Sequence, residues 1–361
     1  MFERLWKTII RRDPYGPLDL PAFLLWLASF VYRLGFAIHK AWSGEPVKVS
    51  VPVLSVGNIT VGGSGKTPMV ARLAKDLLAD GLRVGVVSSG YGRPDRTPFV
   101  APGYKVQEME VARTGDEIML LAQQLPHAWF SVDPLKPNAA RRLADSGEVD
   151  LIILDDGFQH FKLARDLDLV TYDAGLRRRL LKPFPYGMLR EPKTALERAD
   201  IIVITRAKLA KDINAIKREL KALAPKASLY HAGFQAANVA GRDQRLSVKY
   251  LSDKSVFLFA GVGNFRALER QVSALSSDLD YALELSDHQR YDPPLLQRIK
   301  ALADKHNPDL ILTTLKDWVK IGDFDFGREF YYLDLSIDLD PGEEKLVAEV
   351  KSRLNLARRG A

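Results

Sequence analysis

Residues 53–67 read VLSVGNITVGGSGKT, an apolar run followed by a glycine-rich stretch and a lysine–threonine pair. The apolar run predicts a buried strand, and the residues after Thr67 have the periodicity of a helix. A strand, a glycine-rich loop and a Lys-Ser/Thr pair at a helix start are the parts of a P-loop. Glycines let successive backbone N–H groups approach phosphate oxygens, and the helix adds the positive end of its dipole. The stretch therefore predicts a nucleotide site.

The predicted loop gives its polar residues separate roles. Lys66 is expected to reach the β- and γ-phosphates, and Thr67 to place its hydroxyl on Mg²⁺. The usual first glycine of the motif, five residues before Gly65, is replaced by Thr60. The remaining glycines still supply the turn, and a glycine-rich turn with a chance lysine is the alternative. The predicted nucleotide-binding residues are Thr60, Val61, Gly62, Gly63, Ser64, Gly65, Lys66 and Thr67.

Composition limits the class of protein and its partners. The chain has 361 residues, enough for one large or two medium domains, and 47% of them are hydrophobic, as in globular proteins. It has no cysteine, which excludes disulfides, zinc-thiolate sites and cysteine nucleophiles. A formal net charge of +7 favours an anionic partner, whether nucleic acid, acidic lipid or a phosphorylated small molecule.

The N-terminal region combines apolar and basic residues. Residues 2–12 have apolar positions at helical spacing among basic ones, and residues 20–32 form 13 positions without a charge. An uncharged run of that length is too short to cross a bilayer of ~30 Å. We therefore predict amphipathic helices over residues 1–45 that lie at the membrane surface, with a docked core helix as the alternative. No small-residue cleavage site follows, so a signal peptide is not predicted.

Short apolar runs alternate with helical patterns through the rest of the chain. This alternation predicts an α/β fold, with a P-loop NTPase-like, mostly parallel sheet that has helices on both faces. The pattern weakens over residues 227–246, and a second series of strands and helices follows. We therefore predict a P-loop core over residues 46–228 and a smaller C-terminal α/β lobe over residues 229–361.

Acidic residues and one histidine are candidates for chemistry. Asp155 and Asp156 directly follow an apolar strand, where a carboxylate can hold the Mg²⁺ of a P-loop site, although helix capping is the simpler role. Asp116 and Glu117 begin a predicted helix, as a cap or, for Asp116, as a general base for a substrate hydroxyl. His288 is either structural or orients a carboxylate.

Residues 177–193, RRRLLKPFPYGMLREPK, place six basic residues among aromatic residues and prolines. They form either a solvated face or the rim of a pocket for an anionic, partly apolar substrate, because arginine pairs with phosphate in a bidentate fork. No nucleic-acid-binding motif accompanies them, so no nucleic-acid partner is predicted.

Taken in order, these motifs resemble the tetraacyldisaccharide 4'-kinases of lipid A biosynthesis. The resemblance covers roughly residues 50–320. It rests on VGNITVGGSGKTP (56–68), GYGR (90–93), GDE (115–117), LDDGFQH (154–160), LREP (189–192), AGVGN (260–264), DH (287–288) and TLKDWVK (314–320). The absent first glycine of the P-loop is shared with that family.

The resemblance implies a kinase that is peripheral or monotopic at the cytoplasmic face of the inner membrane. It would transfer the γ-phosphoryl group of ATP, with Mg²⁺, to the 4'-hydroxyl of a tetraacylated glucosamine disaccharide 1-phosphate, forming lipid IVA. The membrane surface and this lipid would be its partners. The implied site residues are Lys66 and Thr67 for phosphate and metal, Asp155, Asp156 and Glu117 for Mg²⁺, Asp116 as base tuned by His288, and Arg190, Arg93 and Lys136 for the substrate.

The chain departs from the family pattern at several positions. Ser89 stands where an arginine often precedes GYGR, Gln289 follows DH, and Leu315 replaces an acid. A second family arginine is absent near residues 133–138, where only Lys136 is basic. The first and the last of these departures concern the contacts with the substrate head group and not the reaction.

Two other functions fit the residues alone. One is a P-loop ATPase or GTPase that serves as a maturation factor or switch, which needs no base for a sugar hydroxyl. The other is a membrane-bound scaffold with a vestigial nucleotide site, against which the intact Lys66, Thr67 and Asp155 argue.

Overall fold

The fold is described from a computed structural model, which covers residues 6, 9–10, 19–262, 265–286, 289–339 and 345–356. The strands in these ranges are β1 (Val53–Gly57), β2 (Val84–Ser88), β3 (Phe99–Pro102), β4 (Trp129–Val132), β5 (Leu151–Asp155), β6 (Leu167–Asp173), β7 (Ile201–Thr205), β8 (Ser228–Ala240), β9 (Arg245–Ser247), β10 (Ser255–Ala260), β11 (Asp278–Glu284), β12 (Leu310–Thr314) and β13 (Glu329–Leu339).

The helices alternate with these strands. They are α1 (Leu20–Ala41), α2 (Lys66–Ala79), α3 (Gly103–Val106), α4 (Val111–Thr114), α5 (Asp116–Gln124), α6 (Lys136–Asp145), α7 (Ile213–Leu223), α8 (Phe265–Ser273), α9 (Pro293–His306), α10 (Leu315–Ile321) and α11 (Lys345–Arg353). Short 3-10 helices occupy Arg178–Leu180, Lys193–Arg198, Ala207–Leu209 and Val248–Asp253.

The strands form one sheet in the order β11-β10-β12-β13-β8-β7-β6-β1-β5-β2-β4-β3, with β9 paired to β8. Neighbours are parallel except at β3–β4, β8–β9 and β8–β13. Alternate residues of β5 face opposite cores, with Ile153 in one and Ile152 in the other, so apolar side chains are needed on both faces. The predicted mostly parallel α/β sheet with helices on both faces is confirmed.

β8 joins two groups of strands that run in opposite directions. Its residues 228–232 pair in parallel with β7, and its residues 232–240 pair antiparallel with β13. We call β1–β7 with their helices the first lobe and β8–β13 with α8–α10 the second lobe. Because β10–β13 run opposite to β7 and β8, the carboxyl ends of the parallel strands in the two lobes face each other across one cleft. The predicted boundary after residue 228 falls at the first residue of β8 and stays a prediction.

α1 lies on the surface of the first lobe with one stripe docked. Ala22 and Ser29 are buried, and the ring of Tyr32 meets the ring of Phe184 at 5.1 Å between centroids. The opposite face leaves large apolar side chains exposed, namely Leu20, Phe23, Leu24, Trp26, Leu27, Phe30, Val31, Leu34 and Ile38.

The length of α1 differs from the uncharged run seen in the sequence. The helix has 22 residues, because it continues past Arg33 to Ala41, and by length and composition it could cross a membrane. The uncharged run of 13 residues before Arg33 is too short to cross a bilayer, whereas the helix that contains it extends to Ala41. Most of the apolar and basic pattern of residues 2–12 lies outside the described residues. Trp6 belongs to the described part and donates from Nε1 to the carbonyl oxygen of Pro185 at 2.6 Å.

Candidate active site

The predicted P-loop connects β1 to α2, which begins at Lys66. Gly62 and Gly65 have φ angles of 99° and 90°, in the left-handed region that favours glycine. A Cβ atom at Gly65 would also stand 2.8 Å from the ring of Phe234 on β8. A side chain at position 65 would therefore be strained by its backbone angle and would crowd Phe234 of the second lobe.

Buried side chains hold the loop in this shape. The Asn58 amide donates to Ser64 Oγ at 2.7 Å and to Thr60 Oγ1 at 3.3 Å. Ser64 Oγ also lies 2.8 Å from Thr171 Oγ1 on β6. Lys66 Nζ in turn donates to Asn58 Oδ1 at 3.3 Å. Asn58 thus links the start of the loop to its lysine, a role that the sequence analysis did not assign.

The two acids after β5 meet the P-loop, as their spacing predicts. Asp156 has a φ angle of 49°, and its carboxylate lies 3.4 Å from Lys66 Nζ. Arg190 Nη1 donates to both oxygens of the same carboxylate, at 2.9 and 3.1 Å. Burial raises the pKa of Asp156, but attraction to Lys66, Arg190 and Lys136 outweighs it, so the pKa falls below its ordinary value.

Asp155 has the opposite environment. It is buried, and its Oδ1 atom has no hydrogen-bond partner among the described residues. Burial, together with repulsion from Glu117 and Asp156, raises the pKa of Asp155 to about 7. A buried, unpartnered carboxylate oxygen beside other acids fits a cation ligand, since a bound cation would relieve this penalty.

The other metal candidates lie at the starts of α2 and α5. Thr67 is half-buried as the second residue of α2, and Glu117 is exposed on α5. Within the described ranges, no group of three or more His, Cys, Asp or Glu side chains could hold a metal ion. A Mg²⁺ ion in such a site keeps water and substrate phosphates among its ligands, so one or two protein side chains are enough.

Lys136, a predicted substrate contact, is placed below the acidic pair. Its ammonium is buried and donates to the backbone carbonyl oxygens of Asp155 at 2.6 Å and Asp156 at 2.8 Å. Burial lowers its pKa. This environment supports a structural role in fixing the end of β5 and not a contact with a substrate in the open cleft.

Arg93, another predicted substrate contact, is also buried. Its guanidinium donates to the carbonyl oxygens of Thr97 at 3.0 Å, Arg113 at 2.9 Å and Arg96 at 3.1 Å. These bonds satisfy the backbone of a Gly/Pro-rich loop, so Arg93 holds the cleft wall together. The family resemblance implied a substrate contact for Arg93, and an arginine whose partners are backbone carbonyls leaves no distinct mark in the sequence.

Arg190, a predicted substrate contact, lies beside the P-loop. Its backbone N–H donates to Ile59 O at 2.8 Å, which places the LREP segment directly beside the P-loop. The next residue, Glu191, is buried and pairs with Arg198 at 2.9 Å. Gln159 donates to both Glu191 and the Asn58 carbonyl. The DDGFQH and LREP motifs therefore form one support under the loop.

A cleft of about 560 Å³ separates the lobes beside this site. The first lobe lines it with Ser88, with residues 90–94, which contain the GYGR motif, and with residues 111–112 and 114–118. The second lobe contributes Gln289, Arg290, Tyr291 and Lys320. Asp116 lines the cleft as the first residue of α5, and its Oδ2 atom lies 2.8 Å from Lys320 Nζ. His288, the predicted tuning partner of Asp116, lies outside the described residues.

The TLKD segment has a structural role in the second lobe. Asp317 is buried and accepts from the Thr314 hydroxyl at 2.8 Å and the Gly261 N–H at 2.9 Å. These bonds tie the start of α10 to the end of β10. Leu315, which replaces an acid at this point, is buried.

A P-loop before α2, acids at the end of the adjacent strand and a second lobe facing them define the class as P-loop phosphotransferases. A sequence model of the LpxK family, described as tetraacyldisaccharide-1-P 4'-kinase, matches residues 21–355.

Individual proteins agree with this match. The tetraacyldisaccharide 4'-kinase of Halothermothrix orenii is 34% identical over 363 residues, covering 92% of this chain and 91% of that protein. The corresponding kinase of Syntrophobacter fumaroxidans is 34% identical, with 95% and 90% covered. Among solved structures, the LpxK of Aquifex aeolicus, crystallised in complex with ATP, superposes with a TM-score of 0.73 at 25% identity, covering 93% of this chain and all of that one. The chain therefore belongs to the tetraacyldisaccharide 4'-kinase family.

Proposed function

We propose that this chain transfers the γ-phosphoryl group of ATP to the 4'-hydroxyl of a tetraacylated glucosamine disaccharide 1-phosphate, which forms lipid IVA. One arrangement carries the proposal. The P-loop lysine lies beside the second acid after β5, with Lys66 Nζ 3.4 Å from the Asp156 carboxylate, while Asp116 lines the adjoining cleft. Glu117, the neighbour of Asp116, lies close enough to Asp155 for its charge to raise the pKa of that carboxyl, so a sugar hydroxyl near Asp116 would lie close to a triphosphate in the loop.

The bond changes follow from these positions. The 4'-oxygen forms a bond to the γ-phosphorus while the bond from that phosphorus to the β,γ-bridging oxygen breaks, and ADP leaves. The proton of the hydroxyl passes to the carboxylate of Asp116. Lys66 holds the β- and γ-phosphates, and most of the rate comes from position and charge neutralisation.

Thr67 and Asp155 would hold Mg²⁺, with Asp156 and Glu117 close by as further carboxylates. The unpartnered Oδ1 atom of Asp155 supports this assignment. When bound, the ion neutralises charge on the β- and γ-phosphates. Asp156 is already engaged by Lys66 and Arg190, so its first role is to position those cations.

The acylated substrate and α1 support a location at the cytoplasmic face of the inner membrane. The exposed apolar face of α1 is suited to lie among lipid chains, while its docked stripe keeps the first lobe at the surface. Basic residues at its end, His39 and Lys40, would meet anionic head groups.

Incubation of the purified protein with Mg-ATP and the disaccharide 1-phosphate in detergent micelles tests the proposal. We expect a 4'-phosphorylated lipid and ADP in equal amounts. Absence of the phosphorylated lipid across several detergents would reject it. ATP hydrolysis that needs no lipid and persists in Asp116→Ala would instead support the ATPase or switch function.

A further inference from the structure

Lys320 extends from the second lobe to the candidate base of the first. It lies on α10, and its side chain is only 8% exposed. Its Nζ atom is 2.8 Å from Asp116 Oδ2 and 3.5 Å from the carbonyl oxygen of Gln289. Lys320 ends the TLKDWVK motif, and no role is predicted for it from the sequence.

Contacts between α10 and the rest of the second lobe fix the position of Lys320. Asp317 is three residues earlier on the same helix and is buried against the Gly261 N–H at the end of β10. Leu315 and Ile321, which flank Asp317 along α10, are also buried. The helix therefore has little freedom to rotate, and it presents Lys320 to the start of α5 in the first lobe.

The start of α5 is equally well defined. Gly115 precedes it with a φ of 80°, and Asp116 is its first residue. The carboxylate keeps 25% of its side-chain surface exposed and lines the cleft, so a ligand can still reach it. Lys320 thus holds one carboxylate oxygen without closing access to the group. A nearly buried lysine is costly unless it is paired, so this contact favours the seated arrangement of the two lobes.

We propose that Lys320 is a positioning residue for phosphoryl transfer. It holds the carboxylate of Asp116 in the orientation that accepts the hydroxyl proton, and it does so only when the second lobe is seated on the first. The assembly of the base is thereby coupled to the approach of the lobes. This inference rests on the proposed function of Asp116 as the base.

Steady-state kinetics of Lys320→Met, which removes the charge and keeps the length, test this role. We expect kcat to fall about 10- to 100-fold, the scale of a misplaced catalytic group, with the KM for ATP unchanged because the P-loop is untouched. Lys320→Arg keeps a cation and should recover much of the loss. Lys351→Met is the matched control, since Lys351 forms a similar pair with Asp80 at 2.6 Å far from the cleft. An unchanged kcat in Lys320→Met, or a loss seen only in the KM for ATP, would overturn the proposal.

A double-mutant cycle separates action through Asp116 from a direct contact with phosphate. If Lys320 acts through Asp116, then Lys320→Met causes no further loss of kcat in an Asp116→Asn background. Equal losses in both backgrounds would show that Lys320 acts on the nucleotide itself, and the proposal would fail.

A distance measurement tests the coupling to the lobes without relying on activity. The chain contains no cysteine, so spin labels can be attached at Arg141→Cys on α6 and Ala301→Cys on α9, both exposed. We expect Lys320→Met to broaden the distance distribution and Lys351→Met to leave it unchanged. Identical distributions in wild type and Lys320→Met would overturn the coupling. If the wild-type protein makes no phosphorylated lipid, the proposed function is rejected. The distance measurement does not depend on activity, so it would still test whether Lys320 couples the two lobes.

Discussion

Two adjacent carboxylates at the end of β5 have opposite electrostatic environments. Asp156 faces Lys66 and Arg190, and its pKa is lowered; Asp155 points into a buried space with an unpartnered oxygen, and its pKa is raised to about 7. One acid is thus kept charged to hold the cations of the site. Ionisation of the other acid, Asp155, is unfavourable unless a cation binds beside it.

The raised pKa of Asp155 therefore predicts that, in the absence of metal, the stability of the fold depends on pH. Its folded-state pKa of about 7 lies above the unfolded value near ~3.9, so the folded chain binds more protons between these values. Stability from this group should then decrease as pH rises, by at most ~1.4 kcal/mol per pH unit, and level off above pH ~7. Asp155→Asn should lose this slope. Denaturant unfolding in EDTA at several pH values between 4 and 8 measures it.

Magnesium provides the control for this prediction. Mg²⁺ with an ATP analogue should raise the unfolding midpoint of the wild type near pH 7.5 and have a much smaller effect on Asp155→Asn. A variant whose stability keeps the full pH slope of the wild type would show that another group titrates in this range.

The second prediction for a single residue concerns Lys66. Lys66→Met removes the cation expected on the β- and γ-phosphates, and we expect kcat/KM to fall at least ~100-fold. Stability should change little, because Arg190 still pairs with Asp156. Lys75→Met, an exposed lysine further along α2, is the matched control in the same kinetic assay. Similar losses in both variants would refute a specific role for Lys66.

Residue types alone located the site but not all of its contacts. The proximity of Lys66 to the acids after β5 follows from motif order, because the P-loop strand and its neighbour end at the same edge of the sheet. Arg93 and Lys136 were interpreted as substrate contacts, yet both bind backbone carbonyls. Every residue carries a carbonyl, so no sequence pattern distinguishes a buried structural cation from an exposed one.

Among the elements, α1 has one face docked on the first lobe and one exposed apolar face. We expect the exposed face to contact the membrane. Leu27 and Val31 are 52% and 72% exposed on the undocked face. Replacing both with glutamate removes apolar contact with lipid and adds charge, so sedimentation with anionic vesicles should fall severalfold. The fold should survive, because the docked stripe is unchanged.

The matched control for α1 is Leu209→Glu. Leu209 is 58% exposed on a short 3-10 helix after β7, and it lies outside α1. We expect this variant to sediment like the wild type. If the α1 double variant also sediments like the wild type, the exposed face of α1 is not the membrane contact.

Strands were predicted well where their side chains are uniformly apolar and poorly where they are mixed. Residues 151–154 and 201–205 are two of the short apolar runs that predict a parallel sheet, and both lie in central strands of the sheet. Residues 228–240 read SLYHAGFQAANVA and were interpreted as a junction, yet they form β8, a strand of 13 residues. β8 pairs with different lobes along its length, and its polar and small residues follow from that partial exposure. A local pattern does not contain this tertiary reason.

At the scale of the whole molecule, the reversal of strand direction at β8 is what creates the cleft. In an open α/β sheet, ligands bind at the carboxyl ends of the strands. Here those ends face each other across one cavity, with GYGR and GDE on one side and residues 289–291 and Lys320 on the other. The second lobe thus closes the cleft over the first-lobe residues that are proposed to bind the triphosphate and the sugar, which the linear order of motifs did not reveal.

The shared sheet also predicts that the first lobe does not fold alone. A fragment of residues 1–228 lacks the β8 residues 229–232, which pair with β7, so it leaves a central strand as an open edge. It also lacks Phe234, which packs on the P-loop at Gly65. The core of the first lobe further includes Leu346, Val350 and Leu354 at the end of the chain.

We therefore expect the fragment of residues 1–228 to be insoluble or to lack cooperative unfolding and ATP binding, as measured by circular dichroism and by binding of a fluorescent ATP analogue. Co-expression with residues 229–361 should restore a soluble complex, because the missing strands and α11 return in trans. The full chain supplies the reference for both measurements. A monomeric fragment that unfolds cooperatively and binds nucleotide as tightly as the full chain would show that the shared sheet is not required, and that the predicted boundary at residue 228 separates independent domains.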